Sequence, residues 1–104
     1  MINLLSVATL KKTLSNAERK ILRGKSYSLK PVVMIGQRGV SEAVLSEIDV
    51  ALETHKLMKV RFRSADRELR TQYSKFIANT VGAELIFQIG SVAVFFRKTA
   101  GDDV

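Results

Sequence analysis

The 104-residue chain contains no cysteine. That excludes disulfides and thiolate metal sites, and it suits a reducing compartment. It has one histidine, and one imidazole beside scattered carboxylates does not supply the ligand number or spacing of a metal site. No metal and no other cofactor is expected. Nothing in the sequence approaches the run of about 20 apolar residues that a membrane span needs. The first ten residues are mildly apolar, but Lys11 and Lys12 follow that stretch instead of preceding it. A secretory signal has the opposite order, so a cytoplasmic location away from membranes is expected. Internal repeats and low-complexity segments are also absent. Acidic residues are scarce: 10 against 17 Lys and Arg, a net charge of +7. Such an excess attracts polyanions through long-range forces and counterion release, although it equally serves a basic protein that is merely soluble. Position along the chain has to decide. With 46% hydrophobic and 26% charged residues, the composition is that of a folded domain and not of a disordered chain. A chain this long makes one domain with a modest core and little apolar surface left for a deep substrate pocket.

Residues 1–13 show no firm period and read as an N-terminal extension. The folded unit is expected to span residues 14–98, with residues 99–104 as a tail that should fray. Ser15-Asn16-Ala17-Glu18 is a capping-box pattern, so a helix should begin near Asn16 and end before Pro31. Leu14, Ala17, Ile21 and Leu22 are expected on its apolar side. Val32-Val33-Met34-Ile35 is a short continuous apolar run, bounded by Pro31 and Gly36, that predicts a strand buried on both faces. Gly36-Gln37-Arg38-Gly39 then forms a tight turn. A second helix, capped by Ser41, runs to about residue 54 with Val44, Leu45, Ile48, Ala51 and Leu52 buried. Residues 57–63 alternate, with Met58, Val60 and Phe62 inward and Lys59, Arg61 and Arg63 outward. A third helix over about 65–81 carries Leu69, Tyr73, Phe76, Ile77 and Val81, and Gly82 stops it. Two strands, 84–89 and 91–97, flank a hairpin turn at Gly90. The order helix, strand, helix, strand, helix, strand, strand predicts an α/β fold. A four-stranded mixed sheet would be packed by three helices.

Catalysis has little support. His55 falls at the end of the second helix, where a cation suits the helix dipole, with no nucleophile motif around it. Glu42, Glu47, Asp49 and Glu53 lie mainly on the polar side of that helix, whereas acid–base carboxylate pairs need a desolvated cleft. A solvated face explains them, and no enzyme is expected.

The turn at residues 36–39 carries more. A strand that ends in Gly-x-x-Gly and opens into a helix lets a ligand approach the backbone, and amides in the turn can face a phosphate. Arg38 adds charge and donors. In KH domains a loop of this form clamps a nucleotide backbone. The same spacing also serves a turn in which glycine only relieves backbone strain. Glu42, in the first helical turn, would repel a phosphate placed over the helix N-terminus, so nucleic acid is expected across the loop itself. Lys59, Arg61 and Arg63 recur at the strand period about 7 Å apart, comparable with phosphates along a nucleic-acid strand. Like charges on an outer face can also protect a sheet edge, but residues 57–64 contain no acidic partner. Arg19, Lys20, Arg23 and Lys25 on the first helix, with Lys30 beyond it, form a second basic element. Tyr27 is the best exposed stacking candidate, while Tyr73, Phe76, Phe87 and Phe96 are expected in the core. Few free aromatics favour contact with backbone and shape over individual bases.

These segments, taken in order, resemble the CRM domain (chloroplast RNA splicing and ribosome maturation), in its single-domain bacterial YhbY type. The resemblance is carried by Leu22-Arg23-Gly24, Leu29-Lys30-Pro31-Val32-Val33 and Ile35-Gly36-Gln37-Arg38-Gly39. It continues through Glu47-Ile48, Ala51-Leu52 and His55-Lys56-Leu57-Met58-Lys59-Val60, then Gly90 and Phe95-Phe96-Arg97. An ordered series is far more specific than the turn alone. It implies a fold similar to the C-terminal domain of bacterial translation initiation factor three. It also implies RNA binding through Gly36, Gln37, Arg38 and Gly39 with nearby basic surface, and association with precursor large ribosomal subunits. Ser26-Tyr27 departs from the Ala-His of the family pattern, and the segment before Leu14 is longer than in the single-domain form. The expected function is that of a monomeric, non-catalytic protein that binds large-subunit ribosomal RNA and assists assembly, with ribosomal proteins as further partners. The alternatives are a protein-interaction adaptor on the assembling ribosome and a general RNA chaperone.

Overall fold

The computed structural model describes residues 14–63 and 66–98. The expected extension over 1–13, the tail over 99–104 and the start of the third helix at residue 65 lie outside them. The elements are α1 (Asn16–Ser26), β1 (Val33–Ile35), α2 (Glu42–His55), β2 (Leu57–Phe62), α3 (Arg67–Val81), β3 (Glu84–Ile89) and β4 (Val92–Phe96). This is the predicted order. The strands form one mixed sheet in the order β1-β2-β4-β3, with β1 parallel to β2 and β4 antiparallel to both its neighbours.

Each helix begins at the cap its sequence encodes. Ser15 Oγ accepts from the Glu18 amide at 3.1 Å, and the Ser15 amide donates to Glu18 Oε1 at 3.0 Å. Ser41 Oγ accepts from the Val44 amide, and Asp66 Oδ1 from the Leu69 amide. Gly82, in the left-handed region, ends α3. Successive crossovers of one hand that step the same way across a sheet leave their helices on one face. α2 and α3 accordingly share a face, where Ile48, Leu52, Ile77 and Ala78 pack with Val33, Ile35, Met58, Val60, Phe62, Ala93 and Phe95. α1 lies on the other face, where Leu14 and Leu22 join Leu57, Ile86, Phe87, Val94 and Phe96. A register shift between Leu85 and Phe87 supplies the extra residue. It lets Ile86 and Phe87 both join the α1 cluster while Leu85 packs with the main core.

Three expectations change. β1 is not buried on both faces: Val33 and Ile35 are buried, but Val32 and Met34 are exposed. It is a short edge strand, and α1 packs on β2, β3 and β4 instead. On α1 the inward stripe is Arg19, Leu22 and Ser26, so Ala17 and Ile21 face solvent. On α3 the stripe is Tyr73, Ile77, Ala78 and Val81, which turns Phe76 outward.

One arginine ties three elements together at the end of the sheet where β2 begins. Arg97 donates to Asp49 Oδ1 and to the Val81 carbonyl, both at 2.7 Å, and also to the Asp49 carbonyl and Glu53 Oε1. Its side chain is only 16% exposed. Asp49 and Glu53 are solvated, which limits the ion pairs to less than about 1 kcal/mol each. The charge-assisted bonds to backbone carbonyls, above all the part-buried one to Val81, matter more. Arg97→Met should therefore lower unfolding free energy by about 2 kcal/mol in denaturant titration, and Asp49→Asn by less than about 1 kcal/mol.

Candidate nucleic-acid interface

Parallel pairing of β1 with β2 brings their C-terminal ends to the same end of the sheet. The ladder continues past the strands: the Arg63 amide donates to the Ile35 carbonyl at 2.8 Å, and the Phe62 amide to the Ser91 carbonyl at 2.7 Å. Three features thus meet here: the loop at residues 36–39, the end of β2 and the β3–β4 hairpin.

The loop is closed by the Gly39 amide, which donates to the Gly36 carbonyl at 3.1 Å. Its two glycines differ in kind. Gly39 has φ of +74°, and a Cβ there would stand 2.7 Å from the Tyr73 hydroxyl oxygen. Both backbone and space demand glycine. Tyr73 in turn stacks on Phe62, with ring centroids 6.2 Å apart and planes at 23°. A continuous stack therefore runs from β2 through α3 to the underside of the loop. Gly36 has neither constraint: its φ is not positive, and a Cβ would meet nothing within 4 Å. The fold does not require glycine at that position, and the open space beside it is accessible to a ligand.

The expected cations separate into those the fold uses and those it leaves available. Gln37 and Arg38 are exposed in the loop. Arg61 pairs in register with Met34, and Arg63 follows with its backbone on Ile35. Lys59 is half-buried, and its carbonyl accepts from the Val32 amide. Lys30 precedes this point and lies at the far end of β1 from Gly36. Lys20 and Lys25 are exposed on α1. Arg19 instead bonds Glu84 Oε2 at 3.0 Å and the Leu85 carbonyl, tying α1 to β3. Arg23 lies 4.8 Å from the Phe87 ring centroid and donates to the Tyr27 hydroxyl. The structure thus gathers Arg38, Arg61 and Arg63 around one end of the sheet. Among the described residues, none of these three has an ion-paired carboxylate.

Acidic groups are placed to match. Asp49, Glu53 and Glu84 are engaged with arginines at the other end of the strands. Glu42, Asp66 and Glu68 cap or begin α2 and α3, on the helical face. A polyanion reaching the loop therefore meets least repulsion on the side of Arg61. His55 is exposed at the end of α2, and among the described residues no group of three or more metal-ligating side chains occurs.

Tyr73 was legible only as a core residue. The signal for its second role is its hydroxyl, which needs a polar or open surrounding within an otherwise apolar stripe. Gly39→Ala should cost about 1–2 kcal/mol of stability, through the left-handed backbone and the clash with Tyr73. In a Tyr73→Phe background the cost should be smaller, because the nearest atom is gone; thermal denaturation of the four proteins measures the difference.

Comparison with known proteins is consistent along most of the chain. The model of the CRS1/YhbY (CRM) domain matches residues 14–97. An RNA-binding protein of Haemophilus influenzae is 39% identical over 87 residues, covering 84% of this chain and 88% of that protein. A probable RNA-binding protein of Pseudomonas aeruginosa is 31% identical, covering 82% of each. One of Methanocaldococcus jannaschii is 33% identical, covering 88% of this chain and 69% of the relative. The solution structure of a Staphylococcus aureus protein superimposes with a TM-score of 0.76 at 24% identity, covering 88% of this chain and 95% of the other. With this match spanning both glycines of the loop and the basic strand, the chain belongs to the CRS1/YhbY (CRM) domain family.

Proposed function

We propose that this domain binds RNA by holding its phosphate backbone across the loop at residues 36–39 and the cations at the end of β2. The observation that carries this reading is the bond from the Arg63 amide to the Ile35 carbonyl, which sets the loop and the arginines side by side. Backbone amides of the loop approach the phosphate where Gly36 leaves room, and Arg38, Arg61 and Arg63 neutralise it. Lys59 and Lys30 extend the footprint along β1 and β2, with Lys20 and Lys25 further out on α1. The names of the relatives support RNA as the polyanion. The RNA is that of the precursor large ribosomal subunit. The protein acts there in the cytoplasm, as a monomer and without catalysis, to assist assembly. A protein adaptor is the second reading. It draws on the shallow apolar groove between β1 and α2, lined by Val32, Val33, Val50 and Ala51 beside Glu47.

Three measurements test this. Arg61→Ala with Arg63→Ala should weaken RNA binding and reduce the slope of log affinity against log salt by roughly 0.7–0.9 per lost phosphate contact. Gly36→Ala should keep or slightly raise stability, since a chain with fewer unfolded conformations loses less on folding, yet weaken RNA binding by occupying the open space. Unchanged binding in both would remove the loop and strand from the interface. Crosslinking in cells followed by sequencing of the attached RNA should return large-subunit precursor fragments. A scatter of messenger fragments would indicate a general chaperone, and particles held together after nuclease treatment an adaptor.

A further inference from the structure

Among the described residues, the sheet face opposite α2 and α3 is covered only in part. α1 seals the rows that contain Leu57, Phe96 and Val94. The row nearest the loop is open: Met34, Arg61, Val92 and Ile89 stand side by side in register, one from each strand. Their chain neighbours Val33, Ile35, Val60, Phe62 and Ala93 are buried against α2 and α3, so strand alternation turns this row the other way. Met34 is 45% and Ile89 57% exposed, with Arg61 exposed and Val92 half-buried between them. Strand spacing makes the row about 14 Å wide. At its β3 end, two residues before Ile89, Phe87 carries Tyr27 with ring centroids 6.2 Å apart. Tyr27 is 65% exposed and accepts a bond from Arg23.

This strip is apolar with cations set into and around it. Arg61 stands within the row, Lys59 two residues behind it, Arg63 and Arg38 at the loop and Arg23 at the tyrosine end. Glu84, at the far end of the same face, is already paired with Arg19. An apolar protein surface laid here would strip water from Arg61 without supplying an anion. Nucleotides supply both parts: base faces for Met34, Val92, Ile89 and Tyr27, and phosphates for the arginines. A duplex hides its base faces, whereas loops, bulges and ends expose them. Resting on the reading of the loop as a phosphate cradle, we infer that the row Met34–Arg61–Val92–Ile89, extended by Tyr27, binds unpaired nucleobases. The substrate class is RNA with a single-stranded segment beside the clamped backbone, not continuous duplex.

The test uses the full chain and two probes: an unstructured single-stranded RNA of about 12 nucleotides, and the same strand annealed to its complement. The wild type should bind the single strand at least about tenfold more tightly than the duplex. Met34→Thr with Ile89→Thr keeps strand-forming residues at two exposed positions. It should weaken single-strand binding about tenfold with an unchanged salt slope, and leave duplex binding as it was. Arg38→Ala should weaken both probes and flatten the salt dependence. Wild-type single-strand affinity in the double variant would overturn the inference. Equal wild-type affinity for the two probes would overturn it as well. If the double variant weakens single-strand binding while Arg38→Ala changes nothing, the row stands and the phosphate cradle fails.

Discussion

The architecture depends on the parallel pairing of β1 with β2 and on its register. Val33 opposite Val60 and Ile35 opposite Phe62 place four buried apolar side chains against α2 and α3. A slip of one residue would drive Arg61 into that core and expose Phe62, a cost no compensating contact on the other face could offset. The apolar half of β2 thus fixes the position of its basic half. Because both strands point the same way, the loop that ends β1 is fixed beside the arginines that end β2.

The loop is held from beneath and left open from above. Phe62, Tyr73 and Gly39 form a stack whose last member tolerates no side chain, while Gly36 borders free space. The distribution of charge follows the same division. Arg19 and Arg97 are bound to carboxylates and carbonyls that join helices to the sheet. Arg38, Arg61 and Arg63 carry no such ties among the described residues. Cations without such ties among the described residues, gathered at one end of the sheet, form an attractive field that costs the fold little to maintain and weakens with salt. On the proposed account that field recruits RNA, and the open sheet row selects for unpaired segments of it.

Most of the fold was legible because periodicity, caps and turn residues agreed. The capping box at Ser15 and Glu18, the glycine stop at Gly82 and the alternation in β2 each correspond to an observed element. The departures occur where tertiary context decides. Val32-Val33-Met34-Ile35 reads as doubly buried from its composition, but its place at a sheet edge is set by strand order, which local pattern does not encode. Ile21 and Phe76 satisfy a loose apolar spacing while lying one position off the inward stripe. For the candidate site, the glycine loop and the strand cations could be read directly. That Arg19 serves packing and that Tyr73 supports the loop depend on partners 65 and 34 residues away along the chain. The open row of Met34, Val92 and Ile89 was hidden for the same reason: its members come from separate strands and align only through register.

The central claim is that the loop and the end of β2 act as one surface for a ribose-phosphate chain. The most direct measurement is an RNA titration followed by amide and arginine side-chain NMR signals of the full protein. The account predicts that the amides of Gly36, Gln37, Arg38 and Gly39 shift together with the Arg61 and Arg63 guanidinium signals, along a single binding curve. Shifts confined to the acidic side of α2, or loop and strand signals that saturate at different RNA concentrations, would contradict it.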